Sequence, residues 1–143
     1  MQLPDSPIFS INLKLLRVSA TDWVEGGWDV ASTVVLAREA KALGVDLVDV
    51  SSAGLHPDQR IDVGPGYQVP FAAEVRAGAD VPTGAVGLIT EARQAEAVIA
   101  EGSADVVLLA RAVLREPRWP LLAAAELGAD IAWPEQYLRA RPR

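Results

Sequence analysis

The chain has 143 residues, half of them hydrophobic and 22% charged, a composition of one globular domain and not of a disordered segment. Its formal net charge of −6 leaves no basic footprint for nucleic acid and argues against anionic membrane surfaces. With no cysteine there is no disulfide framework, thiol nucleophile or thiolate metal site, and no apolar run nears the roughly 18 residues of a spanning helix. Met1 to Pro7 lack the basic-then-apolar pattern of a signal peptide, so the expectation is a cytoplasmic protein.

The chain alternates β-branched runs with helical segments. Ile11 to Ser19 reads as a first strand. Asp29 is placed to cap a helix over Val30 to Leu43, with Val30, Val34 and Ala37 at helical spacing and Gly44 as its stop. Val45 to Val50 is the second strand. A Gly- and Pro-rich loop, Ser51 to Val69, leads to a short helix over Pro70 to Ala77. Thr83 to Val86 is the third strand, and Thr90 is expected to cap the helix Glu91 to Ala100. Asp105 to Leu109 reads as a fourth strand buried on both faces. Pro117 opens a last helix, closed by Gly128. Four βα units imply a parallel sheet with right-handed crossovers. Both an open doubly wound sheet and half of a (β/α)8 barrel fit, since a full barrel runs to about 250 residues.

In parallel α/β proteins the chemistry gathers at the carboxyl ends of the strands. Arg17 lies inside the first, apolar strand, where an unpaired cation is costly; the residues favour pairing with Asp22 or Asp49 over a cation aimed at a ligand. Ser51-Ser52-Ala53-Gly54 reads as a plain turn of small residues. Gly87 follows the third strand, and Ala110-Arg111 follow the fourth. Backbone N–H groups of Gly87 and Ala110, with the Arg111 guanidinium, suit a phosphate dianion, although a surface arginine is the competing reading. The single histidine, His56, lies in the loop and reads as solvated. Asp46 and Asp49, three apart on a strand, point to opposite faces and make no acid/base pair. No metal-ligand spacing, GxGxxG or Walker motif is present.

Several longer segments carry a resemblance, in order and at matching spacing. They are Arg17-Val18-Ser19-Ala20-Thr21-Asp22-Trp23, Gly44-Val45-Asp46-Leu47-Val48-Asp49-Val50-Ser51-Ser52, Gly64-Pro65-Gly66-Tyr67-Gln68-Val69-Pro70-Phe71-Ala72, Thr83-Gly84-Ala85-Val86-Gly87-Leu88-Ile89-Thr90, Ala104-Asp105-Val106-Val107-Leu108-Leu109-Ala110-Arg111 and Pro134-Glu135-Gln136-Tyr137-Leu138-Arg139. From about Leu15 onward the chain resembles the C-terminal half of the Old Yellow Enzyme family, in its bacterial NADPH dehydrogenase and xenobiotic- or ene-reductase subgroup.

The resemblance implies an α/β fold that is half of a (β/α)8 TIM barrel, strands five to eight, forming one FMN-binding domain over residues 1–143. Residues 1–13 are an atypical start. It implies that Arg17 contacts the flavin pyrimidine edge, that Gly87, Ala110 and Arg111 hold the FMN phosphate, and that Arg139 reaches a neighbouring subunit's site. NAD(P)H is the implied reductant. The family's histidine pair and proton-donating tyrosine belong to its N-terminal half; Tyr67 and Tyr137 match other positions. No catalytic residue and no metal ligand is therefore assigned, and the chain alone is expected not to turn over activated alkenes. Ala53 and Ala110 stand where the family has glycine, and a methyl at Ala110 crowds the phosphate approach. The expected partner is a second copy or a separate N-terminal half-barrel chain, with neither nucleic acid nor membrane. The alternative is a non-catalytic assembly module or truncated gene product that needs a partner to close the barrel.

Overall fold

The computed structural model describes residues 12–141. It is an α/β fold with one four-stranded parallel sheet: β1 (Leu15–Ser19), β2 (Leu47–Ser51), β3 (Thr83–Ala85) and β4 (Val106–Val107). The strands are neighbours in the order in which the chain makes them. A doubly wound sheet reverses its strand order at a switch point, and this sheet does not. The arrangement is that of part of a (β/α)8 barrel. Among the described residues no helix is long and apolar enough to cross a membrane.

Helices α1 (Val30–Ala42), α2 (Val69–Ala79), α3 (Ala92–Ala100), α4 (Arg111–Arg115) and α5 (Trp119–Leu127) follow the strands, and a 3-10 turn covers Glu135–Ala140. The Asp29 carboxylate caps α1 by accepting the Ser32 N–H at 2.7 Å. That bond also holds the Asp29 carboxyl below its ordinary range. Gly44, at φ +88°, turns the chain out of α1, a conformation that costs a residue with a Cβ.

The core lies between the sheet and α1, α2 and α3. Val48 and Val50 point from β2 into it, where they meet Ala37, Ala72, Val75 and Val98. Burying each valine contributes about 1.5–3 kcal/mol. Alternation along the strand sends Leu47, Asp49 and Ser51 to the opposite, concave face. A Cβ added at Gly84 would run into the side chain of Leu108, press on Val106 and touch Leu47, so all of these share that face. Here the helices give no cover: Leu15 is 57% exposed and Val106 is 41% exposed.

Four expectations need correction. The first strand begins at Leu15, and Ile11 lies outside the described residues. The fourth strand is only Val106–Val107 and is not buried on both faces, because it is the sheet's edge and its concave side is open. Thr90 does not cap α3. Glu91 holds the cap position with no side-chain capping bond, and the Thr90 N–H is taken by the Gln94 carboxamide oxygen at 3.1 Å. The last helix begins at Trp119 and not at Pro117, and α4 stands ahead of it, its five residues too few to carry a periodicity in the sequence.

Candidate functional site

A cavity of about 350 Å³ opens at the carboxyl ends of β2, β3 and β4. Gly87, Ala110 and Arg111 all line it, so three of the five expected site residues come together. Among the described residues, none accepts a hydrogen bond from the backbone N–H of Gly87 or Ala110. The four-residue spacing on α4 adds a second guanidinium, Arg115, to the same wall. Two cations and two unengaged amide donors fit an anionic group such as a phosphate.

Gly87 has no substitute at its position. Its φ is +126°, and a Cβ there would lie 2.9 Å from the Gln68 carboxamide nitrogen and 3.1 Å from the Tyr67 ring. Ala110, by contrast, has φ −115°, ordinary for a residue with a side chain. Its methyl therefore does not meet the left-handed φ that favours glycine. Ala53, the other alanine in place of a glycine, takes φ +96° and is strained.

The loop before α2 packs directly against Gly87 and lines the cavity through Tyr67 and Gln68. Gly66 donates its N–H to the Gly87 carbonyl at 2.8 Å. Gln68, 2% exposed, accepts from the Ser52 hydroxyl at 2.7 Å and donates to the Val86 carbonyl at 3.0 Å. The Trp119 indole N–H donates to the Thr90 carbonyl at 2.9 Å, tying α5 to the same region. Sequence reasoning passed over Gln68 and Arg115 as wall residues. Arg115 had a local signal, an arginine four residues beyond Arg111; Gln68 had none beyond its place in a Gly- and Pro-rich stretch ahead of a helix.

Arg17 and Arg139 stand apart from this cavity. Arg17 pairs with Asp49 at 3.2 Å across the register between β1 and β2, on the concave face. Of the two carboxylates expected, Asp49 is the partner; Asp22 instead accepts the Trp28 N–H. Burial pushes the Asp49 carboxyl above its ordinary range, against the pull of Arg17. Its Oδ1 is buried with no hydrogen-bond partner among the described residues. Arg139 is exposed on the 3-10 turn. His56 is exposed as expected, its Nδ1 accepting from the Asp58 N–H at 3.2 Å. Asp46 accepts from the Lys14 N–H and takes no part with Asp49. Among the described residues no cluster of His, Cys, Asp or Glu is set to hold a metal ion.

The family model described as NADH:flavin oxidoreductase / NADH oxidase matches residues 12–129. A protein named NADPH dehydrogenase from Geobacillus thermodenitrificans is 51% identical over 135 residues, covering 94% of this chain and 38% of the relative. One of the same name from Bacillus licheniformis is 50% identical over 125 residues, covering 87% of this chain and 37% of its own. Another, from Listeria monocytogenes, is 46% identical over 126 residues, with 88% and 37% covered. The chain thus spans under two-fifths of the length of these relatives.

Proposed function

The chain belongs to the NADH:flavin oxidoreductase / NADH oxidase family, the Old Yellow Enzyme group, and on that premise we propose that it supplies the phosphate-binding side of an FMN site. The observation that carries this reading is the cavity that Gly87, Ala110 and Arg111 line together, with the amides of Gly87 and Ala110 unengaged among the described residues. Arg115 adds charge on the same wall. FMN, when bound, supplies hydride transfer from a reduced nicotinamide to a substrate; the protein contributes binding, orientation and charge. The relatives' name supports NADPH as the reductant.

In this reading Arg17 lies against the flavin's pyrimidine edge, with Asp49 fixing the direction of its guanidinium. Arg139, exposed near the C-terminal end, reaches the site of a neighbouring subunit. The domain is a half-barrel that closes against further barrel strands, and a second copy of this chain is the partner we assign. None of the residues assigned here is a catalytic acid, base or nucleophile.

Replacing Arg111 by Ala removes a charge-assisted contact, worth about 1.5–3 kcal/mol for a hydrogen bond to a charged group. FMN titrated into both proteins, followed by flavin fluorescence, reads the difference. Weaker binding by the variant is expected. Equal affinities would take Arg111 out of the site. A colourless protein that takes up no added FMN would favour the assembly-module reading instead.

A further inference from the structure

Gln68 is the most deeply buried uncharged side chain with both ends of its polar group engaged at the cavity: 2% exposed, it joins two loops that follow different strands. Ser52, which ends the β2 side of the link, is itself buried, so its hydroxyl at 2.7 Å holds the carboxamide oxygen in one direction. That choice leaves the carboxamide nitrogen facing the Val86 carbonyl at 3.0 Å. In a trans peptide the carbonyl and the N–H of one unit point in opposite directions, and the described residues contain no cis bond. The Val86 carbonyl and the Gly87 N–H belong to the same peptide unit. Holding the carbonyl on one side therefore holds the N–H on the other.

The next peptide unit is anchored in the same way. The Gly66 N–H binds the Gly87 carbonyl at 2.8 Å, which directs the Leu88 N–H away from it. Both units need unusual backbone, with Gly87 at φ +126° and Leu88 at φ +51°. Such conformations persist only where their surroundings over-determine them. Here the surroundings are the three residues Gly66, Tyr67 and Gln68, with Tyr67 and Gln68 leaving no room for a Cβ on Gly87.

We propose that Gln68 is a positioning residue of the anion site: clamped by Ser52, its carboxamide fixes the Val86–Gly87 peptide plane and so aims the Gly87 N–H at the phosphate. The inference rests on the phosphate reading above and names the part of the chain that prepares the donor before the ligand arrives. A donor held in place loses no ordering entropy on binding, and a carbonyl that accepts a hydrogen bond polarises its own peptide, strengthening the N–H. Gln68 itself need not touch the ligand.

The test separates aiming from mere structural support by comparing FMN with riboflavin, which lacks the phosphate. Affinities are measured for the 143-residue chain and for Gln68→Met and Ser52→Ala. The unchanged chain is expected to prefer FMN. In Gln68→Met the FMN affinity falls by about tenfold, the scale of one hydrogen bond to a charged group, while riboflavin affinity holds. Ser52→Ala loosens one end of the clamp and lowers the same preference by a smaller factor. A preference for FMN kept in full by both variants overturns the clamp, even if either melts at lower temperature. Should Gln68→Met fail to fold, Ser52→Ala decides alone, by the same ratio. An unchanged chain that binds FMN no better than riboflavin sinks the phosphate reading, and the clamp with it.

Discussion

Ala53 offers a stability test that needs no ligand. It follows the buried Ser52 and takes φ +96°, with Gly54 next to it at φ +85°. A left-handed conformation in a residue with a Cβ costs roughly 1–3 kcal/mol. Ala53→Gly removes that strain. Against the gain stands the extra freedom of glycine in the unfolded chain, about 0.5–1 kcal/mol. The net expectation is stabilisation of about 1 kcal/mol. For 143 residues, an unfolding entropy of about 2 cal/mol/K per residue amounts to about 0.3 kcal/mol/K, so Tm should rise by about 3 °C. Thermal melts followed by circular dichroism resolve such a shift. The neighbouring Gly54→Ala is the control of opposite sign. A Cβ there meets nothing within 4 Å, so strain is opposed only by the unfolded-chain freedom that alanine removes, and Tm should fall. If Ala53→Gly left Tm unchanged or lower while Gly54→Ala cost nothing, backbone strain in this loop would be refuted.

Two further outcomes follow from the charges and the bare face. Asp105 is held below its ordinary 3.8, chiefly by hydrogen bonds from Arg76 and also by the Thr83 N–H. A carboxyl with a lowered folded value stabilises above its unfolded value and loses that contribution as pH falls through the folded one. Asp105→Asn should therefore lower the urea midpoint at pH 7 and lower it much less near pH 3; an equal loss at both would show that the ionised form is not what matters. The uncovered concave face, with Leu15 and Val106 exposed beside the edges of β1 and β4, predicts self-association. Light scattering after size exclusion should give a two-fold assembly at micromolar concentration, and a cooperatively unfolding monomer would overturn that expectation.

The sequence by itself determined what depends on neighbours along the chain. Asp29 three residues before the Ser32 N–H makes a cap wherever the helix forms, and Gly44 ends it for the same local reason. Short runs of apolar and small residues mark β1 to β3, and the four βα units follow from their alternation with helical segments. Ordered motifs were enough to place the chain in its family, and Gly87, Ala110 and Arg111, singled out at strand ends, line one cavity. What the tertiary structure alone decided involves partners distant in sequence. Asp49, not Asp22, takes Arg17 because the β1–β2 register sets them side by side. Ala53 and Ala110 look alike as alanines in glycine positions, yet only Ala53 takes a positive φ, since φ is set by where each loop must go. Val106 reads as a buried strand residue but lies at an edge, and burial depends on what stands across the gap rather than on the residue's own hydrophobicity. Gln68 is the clearest case: a carboxamide has no preferred use along a sequence, and its role arises only because folding brings Ser52, 16 residues before it, and Val86, 18 residues after it, within hydrogen-bond reach.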